Sequence, residues 1–228
     1  CPPGTLAPAA GRVRCGAVAV VSGDGLAEMY RELGVHTIDG GPTLNPSTYD
    51  LLAGIHEMPS EEVVLLTNSA NVIMAAEHAA RLSDKQVLVA PTTCQQAGLA
   101  AAVALAPERT VEENSQALSD TLARVRTGGV APAARDDSLG RFTKGQAVGF
   151  VEDEVLAWGD PLQTVRAVAS YLLRPVEDGE VPELLSILEG EAAPVSLAAI
   201  EGALDAGEVE LELRHGGQSA YWWLLAVE

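Results

Sequence analysis

Three short apolar runs, Ala17-Val18-Ala19-Val20-Val21, Val63 to Leu66 and Val87 to Ala90, and the β-branched run Val35 to Ile38 recur along the first half of the chain. Each is followed by a segment with helical spacing: Leu26 to Leu33, Ser47 to Glu57, Asn71 to Leu82 and Gln95 to Leu105. Val-rich runs of four or five residues without polar residues, as in the three apolar ones, are what strands covered on both faces require. Strand–helix alternation with short links gives right-handed βαβ crossovers and a parallel sheet between two helical layers. The expectation is an α/β fold with a parallel-sheet lobe over 15–126, preceded by a Pro-, Ala- and Gly-rich flexible lead-in over 1–14. Beyond Pro107 the rhythm changes. Val111 to Val125 reads as one more helix, and Arg126 to Asp137, with Gly128-Gly129, as a connector or extended crossing segment. From there the pattern predicts an α+β lobe over 127–228 with a mixed sheet. Its elements are a hairpin around Glu152-Asp153-Glu154, a helix from Pro161 to Leu173, a strand at Leu184 to Leu188, a helix at Leu197 to Ala206, and strands at Val209 to Leu213 and Tyr221 to Val227.

Composition removes several classes of function. A net charge of −18 and an isoelectric point near 4.5 are wrong for nucleic acid or an anionic membrane, which demand positive patches, and suit a basic protein partner. No apolar stretch reaches the roughly 18 to 20 residues of a membrane span. Cys1, Cys15 and Cys94 lie far apart, with no CxxC pair and no metal spacing, so the expected compartment is the reducing cytoplasm. The start lacks Met and has neither the charged region nor the apolar core of a signal peptide, and CPPGTLAPAAGR reads as a linker at the edge of an excised or processed fragment.

In an open parallel sheet, ligands sit at the carboxyl ends of the strands. The four segments there are Ser22-Gly23-Asp24-Gly25, the loop Gly40-Gly41-Pro42-Thr43-Leu44-Asn45-Pro46-Ser47-Thr48, Thr67-Asn68-Ser69-Ala70-Asn71 and Pro91-Thr92-Thr93-Cys94. All are rich in Ser, Thr, Asn and Gly, and all belong on one edge. The candidate ligand- or partner-binding residues are therefore Ser22, Thr43, Asn45, Ser47, Thr48, Asn68, Asn71, Thr92 and Thr93. In the second loop Gly40-Gly41 permits the bend, Pro42 and Pro46 fix φ, and Ser47 or Asn45 can cap the next helix, whose first N–H groups favour an anion. A capped turn without ligand is the plainer reading of any one loop. Catalysis finds little support. The first loop lacks the Lys of a Walker motif and the full dinucleotide fingerprint, there is no G-x-S-x-G elbow, and His36, His56, His78 and His215 stand in unrelated contexts. Cys94, opening a helix, is the one candidate nucleophile. Trp222 and Trp223 on the last strand point to opposite faces, so one of them is expected at a lobe interface or exposed contact.

The order of motifs, from Val20-Val21-Ser22-Gly23-Asp24-Gly25-Leu26 through Gly40 to Thr48, Thr67 to Ala76, Pro91 to Ala101, and Lys144-Gly145 with Gly149, to Gly216-Gly217-Gln218 and the terminal Val227-Glu228, resembles the C-terminal region of the fatty acid kinase A subunit. That family is also described as dihydroxyacetone-kinase-like or as carrying a DAK phosphatase domain. The chain is more remotely similar to the DegV fatty-acid-binding fold. The resemblance runs from about residue 16 to the end. It implies a DegV-like two-lobe architecture and a domain with no catalytic centre, metal or cofactor of its own. ATP and magnesium would belong to an N-terminal domain, and this region would dock a fatty-acid-binding B subunit that presents an acyl carboxylate for phosphorylation, with Gln218 and Trp223 among the contacts. A homodimer is a further partner to consider. The rival reading is a DegV-type domain holding a fatty acid or phosphorylated ligand at Thr43, Asn45, Ser47, Thr48, Asn68 and Thr92. No Arg or Lys lies in the four loops, which favours docking. The sequence departs from the family pattern at Pro42 and Leu44, where Gln and Met are usual, at Thr67-Asn68-Ser69 in place of Pro-Asn-Asn, and at Ser219-Ala220 in place of a Pro-containing step.

Overall fold

The computed structural model of the chain describes residues 13–152, 154–175 and 181–228. Most of the expected lead-in, including Cys1, and Asp153 of the acidic turn lie outside the described residues. Strands β1 (Cys15–Val21), β2 (His36–Asp39), β3 (Glu62–Leu66) and β4 (Gln86–Ala90) form a parallel sheet in the order β2-β1-β3-β4. Helices α1 (Asp24–Glu32), α2 (Thr48–Glu57) and α3 (Ile73–Leu82) make the crossovers, and α4 (Gln95–Val103) and α5 (Val111–Leu122) follow. Side chains alternate across the sheet, so Val18, Val20, Val63 and Leu65 meet α2 and α3, while Ala19, Val21, Val64 and Leu66 meet α1, α4 and α5. Burial on both faces is why the interior strands β1 and β3 read as continuous apolar runs, whereas the edge strand β2 carries His36, Thr37 and Asp39.

The second sheet holds β5 (Arg126–Pro132), β6 (Ala147–Val151), β7 (Glu154–Gly159), β8 (Leu184–Glu189), β9 (Glu210–His215) and β10 (Trp223–Val227), in the order β7-β6-β5-β10-β8-β9. Only β8 and β9 run parallel, so the sheet is mixed. Helix α6 (Pro161–Leu172), capped by the Asp160 carboxylate on the Gln163 N–H, lies across it, and α7 (Leu197–Glu201) is a short turn of helix at its edge. The fold is α/β with a parallel and a mixed sheet. Among the described residues, no helix is long and apolar enough to cross a membrane.

Three expectations are corrected. The segment from Arg126 begins as β5, an interior strand. Gly128 and Gly129, which read as part of a connector or extended crossing segment, are there because a Cβ on Gly128 would stand 2.6 Å from a Val168 methyl of α6, and one on Gly129 would stand 3.0 Å from the Tyr221 ring. Helix α7 stops at Glu201 rather than continuing to Ala206. Trp223 is 0% exposed, on an interior strand and packed in a core with Val165, Val168 and Leu172 of α6, so it cannot touch a partner. Trp222, half-buried, meets it edge-on with ring centres 6.1 Å apart.

Candidate functional site: the crevice between the sheets

The lobes are joined tightly. Leu188 of β8 and Leu224 of β10 enter the core formed by α1, α4 and α5. The turn after β9 crosses the start of α1, where the Leu26 N–H donates to the Gly216 carbonyl (2.9 Å). A Cβ on Gly25 would lie 2.0 Å from the His215 carbonyl oxygen, and one on Gly23 2.4 Å from that of Gly216. The glycines that could have admitted a phosphate to Ser22-Gly23-Asp24-Gly25 admit the chain's own backbone.

Beside this junction, at the carboxyl edge of the parallel sheet, lies a cavity of about 280 Å3. The first lobe lines it with Ser22, Pro42, Thr43, Leu44, Asn68, Ser69 and Thr93 to Gln96, the second with Thr127 to Gly129, Phe150, Glu152, Gln218, Ala220, Tyr221 and Leu224. Small-molecule pockets run roughly 300–1,000 Å3, so this one has room for a head group and a few carbons.

Asn68 organises the first-lobe wall. It follows β3 with φ +54°, a left-handed conformation that Asn tolerates better than most residues. Its Nδ2 donates to the Val20 carbonyl and to Tyr30 Oη, both at 2.9 Å, and its Oδ1 accepts from Thr92 Oγ1, also at 2.9 Å. Its own N–H donates to Thr92 Oγ1, and Tyr30 Oη donates to the Gln95 carbonyl (2.8 Å). Burial pushes the Tyr30 phenol well above its usual range, partly offset by the Asn68 hydrogen bond, so it stays neutral. Thr67 Oγ1 ties the loops after β3 and β4 by donating towards the Ala90 and Thr92 carbonyls. Helix α4 opens onto the cavity at Cys94, without a side-chain cap, and Cys94 Sγ lies 3.6 Å from Thr127 Oγ1. Gln95 Oε1 accepts the Ser22 N–H (2.7 Å).

Of the residues singled out in the sequence, Ser22, Thr43, Asn68, Thr93 and Gln218 line the cavity, while Asn45, Ser47, Thr48, Asn71, Thr92 and Trp223 do not. Thr92 is buried behind Asn68, and Asn45 and Asn71 are exposed. Ser47 caps α2 in a reciprocal box. Its Oγ accepts the Asp50 N–H (3.2 Å), and Asp50 Oδ2 takes the Ser47 N–H (2.9 Å) and hydroxyl (2.6 Å), which lowers the Asp50 pKa. A fixed carboxylate thus occupies the helix start where an anion was expected. Gln96, Thr127, Phe150 and Tyr221 escaped sequence reasoning. The signal for Gln96 was a polar pair, Gln95-Gln96, heading an otherwise apolar helix.

The cavity's chemistry is neutral to acidic. Among the described residues no Lys or Arg lines it, and Glu152 is the one carboxylate. Gln96 and Gln218 turn Nε2 to the Gly128 (3.1 Å) and Leu188 (2.9 Å) carbonyls of the mixed sheet, leaving both Oε1 atoms buried without a protein partner. Among the described residues no three His, Cys, Asp or Glu side chains gather as metal ligands.

Comparison with known proteins places this geometry. The model of the family of FakA-like C-terminal domains, those of the fatty acid kinase A-like proteins, matches residues 16–228. An uncharacterized protein of Staphylococcus epidermidis is 32% identical over 220 residues, which is 92% of this chain and 39% of that protein, so the chain spans about two fifths of that relative. In structure the chain is similar to a DegV family protein of Corynebacterium glutamicum (TM-score 0.64, 18% identity, covering 96% of this chain and 98% of that one). It is also similar to the fatty acid kinase B3 protein of Streptococcus pneumoniae, solved loaded with linoleic acid (TM-score 0.61, 11% identity, 94% and 99% covered).

Proposed function

Because this chain belongs to the fatty acid kinase A-like C-terminal family, we propose that it is a non-catalytic docking domain, which binds a fatty-acid-binding B subunit so that its acyl carboxylate reaches a separate ATP- and magnesium-binding domain. In this reading catalysis gains from proximity and orientation, not from groups supplied here. One observation carries it: the crevice that the shared fold offers a ligand has, among the described residues, no cation to hold a carboxylate and has Glu152 to repel one. The small volume points the same way. Titration calorimetry of this chain with a linoleate-loaded B subunit should give a complex at micromolar concentration, and no binding there refutes docking.

A second reading is a DegV-like ligand domain with a head group in the crevice. It is favoured by the Gln96 and Gln218 oxygens, which lack a protein partner. Those oxygens only accept, so they call for a head group that donates, a hydroxyl or a protonated acid, whose own acceptor oxygens would rest on the Ser22 and Thr93 hydroxyls and the open start of α4. Native mass spectrometry of the purified chain would then show a bound adduct, and a bare mass after mild desolvation rejects this reading.

A further inference from the structure

We propose that the surface formed by the first turns of α2 and α3, centred on Tyr49 and Met74, is a docking surface for a protein whose contact patch is basic around an apolar socket. This rests on the docking reading above and assigns it a place. Both helices leave the carboxyl edge of the parallel sheet on the same face and pack against each other through the core of Leu51, Ile55, Ala76 and Ala79. Their second residues, Tyr49 and Met74, therefore stand on one edge of one layer. Tyr49 is 78% exposed and Met74 80%, although each helix buries its apolar residues elsewhere. Tyr and Met are enriched where protein partners meet, and Met adapts its shape to an imperfect socket.

The charge around them is one-sided. Residues 33–80 contain no Lys or Arg and six acids, Asp39, Asp50, Glu57, Glu61, Glu62 and Glu77, and the next cation is Arg81, in the last turn of α3 and away from its start. Glu62 is paired with Arg14 and Glu57 with His36, but Asp50 beside Tyr49 and Glu77 one turn after Met74 have, among the described residues, no cation within ion-pair distance. Both carboxylates are thus left to a basic group on the partner. The platform is also pre-shaped. The Ser47–Asp50 box fixes the start of α2, and the loop before it is held with Gly41 at φ +62° and Leu44 at φ +46°. That loop contributes Pro42, Thr43 and Leu44 to the crevice wall, so a partner seated on Tyr49 and Met74 lies at the crevice mouth. The exposed Trp158 on β7 differs, because it already holds a cation of its own chain, with Arg141 5.6 Å from its ring centre.

The test compares wild type, Tyr49→Ala/Met74→Ala, Glu77→Lys and Leu139→Ala for binding to the linoleate-loaded B subunit by calorimetry, with circular dichroism and melting as fold controls. Leu139 is 77% exposed on the other lobe and serves as the distant control. The double variant should raise Kd by about tenfold or more, as loss of a hot spot does. Glu77→Lys should weaken binding most at low ionic strength, where the Debye length is about 30 Å at 0.01 M against about 8 Å at 0.15 M. Leu139→Ala should bind as wild type. Wild-type binding that survives the double variant within about twofold, less than the cost of a hot spot, overturns the surface and leaves docking standing. No wild-type binding removes docking and the surface together. If the wild type self-associates and the double variant is monomeric in sedimentation, the occupant is a second copy and the basic partner is rejected.

Discussion

The pair Asn68 and Gly98 offers a sharp test of how the crevice wall is held. Asn68→Ala removes three buried side-chain hydrogen bonds, to Val20, Tyr30 and Thr92, at about 1 kcal/mol each. It also places Ala at φ +54°, costing roughly 1 kcal/mol more. The expected loss is about 4 kcal/mol, a large part of the 5–15 kcal/mol typical of a domain. Gly98→Ala is damaging by another route. Its Cβ would lie 1.8 Å from Asn68 Oδ1 and 2.7 Å from Tyr30 Oη, so the Asn68 side chain must leave its bonds. The cost is about 2–4 kcal/mol net of the roughly 1 kcal/mol by which a helix prefers Ala to Gly. The two losses share a cause, so they must not add. Once Asn68 is Ala, the first clash is gone and the Tyr30 contact alone remains, and the double variant should cost at least about 1 kcal/mol less than the sum of the singles. Urea unfolding followed by tryptophan fluorescence, with m held constant, measures all four corners of the cycle. Additivity within about 0.5 kcal/mol, or an Asn68→Ala loss below about 1 kcal/mol, would refute the network as the strut of this wall.

Two further outcomes are expected. Hydrogen bonding to Arg141 holds the Asp137 carboxyl down at about 2, and Arg141 in turn stacks on Phe142 and Trp158. A carboxyl depressed in the folded state stabilises above its unfolded value, about 3.9, and loses that contribution as pH falls through about 2. The Trp158 indole signal in NMR should therefore hold from neutral pH to about pH 4 and shift between about pH 4 and 2, and Asp137→Asn should show the shifted signal at pH 7; a transition near neutrality contradicts this. Iodoacetamide should label Cys94, which lines the crevice, well before Cys15, which is buried and whose thiol burial pushes above its usual range. Equal labelling rates by peptide mass mapping would mean that the β1 strand opens far more readily than its packing allows.

The first lobe was legible because its information is local. A strand buried on both faces leaves a contiguous apolar run, the edge strand β2 leaves a β-branched one, and the helix after each leaves a 3.6-residue period, so β1 to β4 and α1 to α4 can be read within a few residues of their ends. The second lobe encodes long-range contact instead. Gly128 and Gly149 are small because α6 lies on them, each with a Cβ position 2.6 Å from Val168, and nothing adjacent in sequence announces that helix. The same holds for Trp223. Its alternation with Trp222 was legible, but which face is closed depends on α6, which lies far back along the chain.

The four polar loops gather at one edge of the sheet as expected, and some of their residues cap helices or support the wall, since a capping residue and a binding residue look alike in sequence. Taken in order, the four helix starts are not equivalent. The start of α1 is filled by the Gly216 carbonyl, and that of α2 by the Asp50 carboxylate. Helix α3 is entered through a turn of 3-10 helix, Ala70–Val72, in which the Val72 N–H donates to the Ser69 carbonyl (3.1 Å). Helix α4 starts at the cavity at Cys94, without a side-chain cap, and the cavity lining there includes Glu152 and, among the described residues, no cation. A fold of this kind can present four donor-rich helix ends to one anion. This chain closes two with its own acceptors, enters the third through the turn Ala70–Val72, and lines the cavity at the fourth with Glu152 and, among the described residues, no cation.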